Sequence, residues 1–199
     1  MNFLAHAYLS GNKDLILFGN FVADAVKGNG FLRFPDDIQT GIRLHRKIDS
    51  YTDSHPIFKR SLGRVRKDFR KYSGIVIDIY YDHFLARNWK EYSDTELPEF
   101  AEHVYQVLQS NHEHLPGRTK QMLPFLVMQN WLVGYATFPE LSGVFHGMDR
   151  RTSLHSGMSN AVEVLEKNYG GLKSDFEAYF PELITYAKEE LNSLLNDRV

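Results

Sequence analysis

Gly41-Ile42-Arg43-Leu44-His45-Arg46-Lys47-Ile48-Asp49-Ser50-Tyr51-Thr52-Asp53-Ser54-His55 is the stretch on which the reading turns. His45, Asp49 and Asp53 follow one another at i, i+4 spacing. In a helix, side chains so spaced stack on one face. Pro35-Asp36-Asp37 suits the start of that helix, and Ser54-His55-Pro56 stops it. A second carboxylate pair, Asp78 and Asp82, has the same spacing in Asp78-Ile79-Tyr80-Tyr81-Asp82-His83. Imidazoles and carboxylates on two helices suit a hard or borderline divalent metal. Arg43 and Arg46, beside His45, suit a phosphate.

Outward from this stretch the pattern is helical nearly throughout, with no run of alternating strands and tight Gly turns. Helices are expected over about 2–10, 13–26 and 35–53, then over 57–71 and 75–89. Pro98 to His114 reads as a long amphipathic helix. The segment 119–135 is markedly apolar, and Pro124 should kink or divide it. Phe138-Pro139 opens a short helix that Gly147 breaks, and another helix follows over 156–168. Ser174-Asp175-Phe176-Glu177 reads as a capping box, with Pro181 beginning the last main helix. The expectation is an all-α, compact bundle of roughly eight to ten helices. Residues 1–199 form a single domain in this reading.

Composition narrows the function. Hydrophobic residues make up 43% of the 199, which favours a packed core over disorder. The absence of cysteine excludes disulfides, thiolate metal sites and cysteine nucleophiles. The N-terminus shows no basic region followed by a long apolar run, and no stretch has the apolar length of a membrane span. A cytoplasmic protein with no membrane contact is the expectation. There is no phosphate-binding loop ending in Lys-Ser or Lys-Thr and no Gly-x-Ser-x-Gly elbow.

Candidate site residues gather around the two helices. Asp78 and Asp82 lie among Ile77, Ile79, Tyr80, Tyr81 and Phe84, too apolar a setting for a surface helix. Buried carboxylates are costly unless paired or metal-bound. Asp24 has similar company, and Asn20, one turn earlier, is placed to orient it. His6 and His83 add imidazoles. Helix capping and ion pairing with arginine are the competing explanation for any one of these residues. Arg150-Arg151 is a second arginine pair for phosphate. His112-Glu113-His114 is set aside, because neighbours on a helix diverge by about 100°. Trp131 and Tyr135 read as core.

Lys59, Arg60, Arg64, Arg66, Lys67, Arg70 and Lys71 form a basic segment interrupted by one acid, Asp68. It could attract an acidic partner. Base-stacking aromatics are not interleaved with these charges, which argues against nucleic acid.

The ordered set Asn2-Phe3-Leu4-Ala5-His6, Gly19-Asn20, Ala23-Asp24, Gly41-Ile42, His45-Arg46, Ile48-Asp49, Thr52-Asp53, Asp78, Asp82-His83-Phe84-Leu85, Trp131-Leu132, Gly147-Met148 and Arg150-Arg151 resembles the acyl-carrier-protein phosphodiesterases. These in turn resemble the helical HD-type metal phosphohydrolases. The HD dyad reads His-Asp, whereas this chain reads Asp82-His83. The resemblance implies hydrolysis of the phosphodiester between 4′-phosphopantetheine and a serine of holo-acyl carrier protein, an acidic protein substrate. It implies manganese or magnesium, held by Asp24, His45, Asp82 and His83. Asp49, His6 and Arg46 are the expected catalytic groups, with Asn20, Asp53 and Asp78 in support. Arg43, Arg150 and Arg151 would meet phosphate, and the basic segment 59–71 would meet the carrier. Two alternatives stay open: an HD-like phosphohydrolase acting on a nucleotide such as a guanosine polyphosphate, and a non-enzymatic helical binding module.

Overall fold

A computed structural model describes residues 2–152 and 155–197. Among them the regular structure is entirely helical, as expected. The α-helices are α1 (Phe3–Tyr8), α2 (Asp14–Val22), α3 (Asp36–Ser54), α4 (Pro56–Phe69) and α5 (Ser73–Arg87). They continue with α6 (Leu97–Ser110), α7 (Gly117–Met128), α8 (Trp131–Gly134), α9 (Phe138–Arg151) and α10 (Ala161–Asn196). Short 3₁₀ turns at Ala23–Ala25 and Gly28–Arg33 join α2 to α3.

Helix α5 is the central element. Ile77, Ile79, Tyr80, Tyr81, Phe84 and Leu85 are all buried, so it is apolar on every side. Helices α1, α4 and α10 pack against it. Tyr81 meets Phe58 of α4 and Phe176 and Tyr179 of α10 in ring contacts of 5.4–5.9 Å. Helix α3 lies against both α2 and α10.

Boundaries differ from expectation in the last helix, around Pro124 and at Gly147. The last helix is continuous over 36 residues, and Ser174 and Pro181 lie inside it. Ser174-Asp175 does not cap a helix because Asp175 turns inward, where Arg60 Nε and Arg64 Nε donate to it at 2.7 and 2.8 Å. Pro124 sits within α7, and the division comes later, at Asn130, with φ +45°. Tyr105 holds that break: its hydroxyl donates to Asn130 Oδ1 at 2.9 Å and accepts from Leu132 N at 3.1 Å. Gly147 does not end α9, which runs on to Arg151.

Candidate active site

Helices α2 and α3 touch backbone to backbone. A Cβ at Gly19 would stand 2.2 Å from the Ile38 carbonyl oxygen, and one at Gly41 would stand 2.1 Å from the Ile16 carbonyl oxygen. No side chain fits at either position, so glycine sets the approach. The contact places the Asn20 backbone oxygen where His45 Nδ1 donates to it, at 2.8 Å. Helix α1 is fixed differently. Its N-terminus has no side-chain cap of its own. Asp82 of α5 supplies one, accepting from Leu4 N at 2.8 Å and Ala5 N at 3.1 Å. A carboxylate there satisfies two orphan donors and faces the positive end of the helix. One turn on, His6 stacks on His45, with ring centroids 3.8 Å apart and planes inclined by 16°.

Asn20 decides how both imidazoles are oriented. Its amide nitrogen donates to the His6 carbonyl oxygen at 2.9 Å and to Ser10 Oγ at 3.0 Å. Its side-chain oxygen therefore faces His6 Nδ1, at 2.8 Å, and accepts a proton from it. With both Nδ1 atoms donating to oxygens of Asn20, both Nε2 atoms point the other way. There they meet Asp49: His6 Nε2 lies 3.2 Å from Asp49 Oδ1, and His45 Nε2 lies 3.0 Å from Asp49 Oδ2. Asp24 Oδ1 is 3.3 Å from His45 Nε2, on a side chain that is 77% exposed.

The charges follow from this geometry. Burial pushes His6 down to about 4, and the charge of stacked His45 pushes the same way, so His6 is neutral near pH 7. Burial also works against charge on His45, but hydrogen bonds to Asp24 and Asp49 outweigh it and raise His45 to about 9. Asp49 is held well below the carboxylate range: burial opposes its charge, and the hydrogen bond from protonated His45 is the largest influence that lowers it. Asp24 is lowered chiefly by its bond to His45. A neutral His6 protonated on Nδ1 turns a bare lone pair toward a carboxylate oxygen 3.2 Å away. Two acceptors face each other there, an arrangement that a cation between them would relieve.

His6, His45 and Asp49 are the one group of three or more potential donors among the described residues whose ligand atoms all lie within 4.8 Å of one another. Each histidine anchors Nδ1 on an oxygen of Asn20, the usual support of a metal-bound imidazole. His6 Nε2 offers its lone pair directly, and His45 Nε2 offers one once a cation displaces its proton. Two nitrogens and a carboxylate, with further positions open to water, fit a divalent ion of borderline hardness.

A groove of about 720 Å³ is lined by Asp24 and by residues of α1, α2 and the α7–α9 segment. Residues 1–183 match the acyl carrier protein phosphodiesterase family. The chain is 32% identical over 191 residues to an acyl carrier protein phosphodiesterase of Yersinia pestis, covering 96% of this chain and 99% of that one. It is 35% identical to one of Photorhabdus laumondii, with 96% and 94% covered. A relative of the same name in Escherichia coli O157:H7 is 31% identical, with 96% and 99% covered. The chain belongs to the acyl carrier protein phosphodiesterase family. No solved structure matches it.

In this family member the expected site residues separate into three groups. His6, Asn20, Asp24, His45 and Asp49 converge. Asp82 and His83 do not join them. Asp82 is taken up by the main chain of α1, and His83 Nδ1 donates to the Tyr135 carbonyl oxygen at 2.7 Å. His83 is stacked on Phe138, with ring centroids 5.2 Å apart, and burial lowers it to about 4. Asp53 is exposed one turn beyond Asp49. Asp78 lies outside the three-donor group, and burial raises it.

The arginines divide as well. Arg46 Nη2 donates to the carbonyl oxygens of Val26 and Gly28, at 3.1 and 2.7 Å. Arg43 and Arg46 both lie over the Phe31 ring, at 5.2 and 5.0 Å. These two brace the turn before α3, because its exposed carbonyls and Phe31 need partners. Arg150 and Arg151 line the groove together with Asp24. In the basic segment Arg60 and Arg64 are tied to Asp175, while Lys59, Arg66, Lys67, Arg70 and Lys71 are exposed. None of the seven lines the groove.

Arg118, Asn2, Phe3 and Trp131 line the groove and escaped the sequence reading as site residues. Trp131 looked like core because a helical aromatic beside Leu132 has the same pattern in either role. Arg118 had no motif to mark it.

Proposed function

We propose that the chain hydrolyses the phosphodiester joining 4′-phosphopantetheine to a serine of acyl carrier protein. The products are apo-carrier protein and free 4′-phosphopantetheine. The observation that carries this reading is the convergence of His6, His45 and Asp49 within 4.8 Å, in a member of this family, beside a groove lined by Asp24.

His6 Nε2, His45 Nε2 and Asp49 would hold a divalent ion, manganese or magnesium. When bound, such an ion supplies Lewis acidity to the phosphoryl oxygens and makes water a better nucleophile. The chain's own groups do the rest. Asn20 fixes both imidazoles with their Nε2 atoms toward Asp49. Asp24, ionised and on the groove side of His45, accepts a hydrogen bond from the attacking water and orients it. Arg150 and Arg151 offset the charge that builds on the phosphoryl group. Water adds to phosphorus, the bond from phosphorus to the serine oxygen breaks, and the serine oxygen takes a proton. The phosphate stays on the pantetheine.

The acidic holo-carrier is the partner in this reading, and the cytoplasm is its setting. No helix among the described residues is long and apolar enough to cross a membrane. The test is mass spectrometry of holo-carrier protein incubated with the enzyme and Mn²⁺. The carrier should lose a mass equal to phosphopantetheine, and a chelator should stop the loss. No loss under any metal condition, beside rapid hydrolysis of a guanosine polyphosphate, would move the assignment to a nucleotide phosphohydrolase.

A further inference from the structure

The groove is larger than a phosphate needs. Its volume of about 720 Å³ falls within the roughly 300–1,000 Å³ of sites that take small organic ligands. Asp24 lines it and is bonded to His45, so the groove is continuous with the His6–His45–Asp49 cluster. Phe3, Phe21, Val144 and Met148 give it apolar walls, and Asn2 and Gln129 add amides. Trp131 lies in the wall near Gln129, and its indole nitrogen donates to Gln129 Oε1 at 2.9 Å. Arg118, Arg150 and Arg151 also line it.

We propose that this groove is the subsite for the pantetheine arm, with the phosphate beside Asp24, next to the cluster, and the chain laid against the groove walls, Trp131 among them. The proposal rests on the reading of the substrate given above. Pantetheine is long and thin. A dimethyl-substituted carbon and a hydroxyl come first, then two amides separated by short methylene runs, then a thiol. Such a chain needs apolar walls interrupted by a few amide partners. A bare phosphodiester would use neither the aromatic walls nor the amides. The arm binds by methyl and methylene contact with the rings, while amides of the Asn and Gln type meet its amides. Its position fixes the phosphorus over the cluster, so contact along the groove acts as orientation at the reacting bond.

Gly143 and Gly147 of α9 allow a clean test. Both line the groove, and a Cβ built on either meets nothing within 4 Å. A Cβ there has room, so both positions can carry a side chain at the groove wall. Wild type, Gly147→Phe, Gly143→Phe and Gly147→Ala are titrated with 4′-phosphopantetheine in the presence of Mn²⁺ by calorimetry. Trp131 fluorescence is followed in parallel. Wild type and Gly147→Ala should bind alike and change the emission of Trp131. Either phenylalanine variant should bind about tenfold more weakly or worse. Its Mn²⁺ affinity and circular dichroism should match wild type. The KM of both phenylalanine variants for holo-carrier should rise by a similar factor. Free phosphoserine or a guanosine polyphosphate binding as tightly as phosphopantetheine would overturn the proposal, as would phenylalanine variants with unchanged binding and KM. The reading of the reaction fails separately, if wild type releases no phosphopantetheine from the carrier at all. If wild type cleaves the carrier while the groove variants are indifferent, the arm subsite alone is wrong.

Discussion

Gly41 stands so close to Asn20 that a methyl group on it would lie 2.6 Å from the Asn20 backbone nitrogen. The register between α2 and α3 therefore depends on a missing side chain. Asn20 in turn holds both histidines, so that register reaches the centre of the site. Gly41→Ala should force the two backbones apart. Overpacking of this kind costs about 1–3 kcal/mol, read as a Tm several degrees lower. Metal-dependent turnover should fall further than the Tm shift explains, because Asn20 moves with its helix. A variant with wild-type Tm and turnover would show that the backbones are not in contact there.

Asn20 itself is the second prediction. Asn20→Ala removes the acceptor of His6 Nδ1 and both donors to the Ser10 turn. Loss of a group that anchors a metal-bound imidazole weakens metal binding by roughly 10–100-fold. Mn²⁺ titration calorimetry should find that loss in protein whose helical circular dichroism is intact. Unchanged Mn²⁺ affinity would remove Asn20 from the site.

Asp82 separates a structural carboxylate from a metal ligand. Asp82→Ala leaves two buried N–H groups without an acceptor, at about 1–3 kcal/mol each, so it should unfold readily. Asp82→Asn keeps one acceptor oxygen, and where folded it should bind Mn²⁺ like wild type. The pH dependence follows from burial, which raises Asp82 to about 7 despite the two N–H bonds that favour its charge. A group with a raised folded pKa favours the folded state below its unfolded value of about 3.9. That contribution fades as pH rises to about 7. The Tm of wild type should thus fall relative to Asp82→Asn over that interval. A parallel pair of Tm curves would place the carboxylate in a more polar setting.

The all-α class and the helix bearing His45 and Asp49 were legible because periodicity and i, i+4 spacing are local properties. Asn20 was legible as a supporting residue but not for its partner: its side chain orients His6 rather than Asp24. Asp82-His83 misled because a carboxylate and an imidazole on an apolar helix read the same whether they hold a metal or satisfy main chain. What distinguishes them is the N-terminus of α1, some eighty residues away in sequence, and no spacing within α5 encodes it. Arg60 and Arg64 misled likewise. Their partner, Asp175, lies more than a hundred residues on, in a segment whose pattern suggested a helix cap.

Those two arginines carry the fourth prediction. Burial works against charge on Asp175, but bonds from Arg64, Arg60 and Ser61 prevail and hold its carboxyl below the usual range. Such a group stabilises the fold above its unfolded pKa, and the contribution is lost as pH falls below about 4. Tyr81 Oη, 2.8 Å from Ser61 Oγ, completes the surroundings. Arg64→Glu should lower Tm sharply at pH 7, since it sets two carboxylates together where Asp175 is buried. Asp175→Asn should flatten the acid limb of the Tm curve. If Arg64→Glu melts like wild type, the pair is open to solvent and the segment is free to dock a partner.

The fifth prediction concerns where an acidic carrier approaches. The segment 59–71 holds the densest run of exposed basic residues, yet Arg118, Arg150 and Arg151 are the cations that line the groove with Asp24. A carrier that must deliver its arm into the groove brings its own acidic surface against the residues at that rim. Charges of this kind mainly speed encounter, and salt screens them over about 8–10 Å. Arg150→Glu with Arg151→Glu should therefore raise the KM for holo-carrier about tenfold at low ionic strength, and kcat should fall as well, since the same arginines offset charge on the phosphoryl group. It should also flatten the rise of KM with salt. Lys59→Glu, Arg66→Glu, Lys67→Glu and Lys71→Glu together avoid the arginines bound to Asp175, so they test the α4 surface without breaking the fold. Their combined effect on KM should stay within about twofold, less than 0.5 kcal/mol. The reverse pattern, with α4 decisive and the groove arginines silent, would place the docking surface on the α4 face and require the arm to reach the cluster from that side.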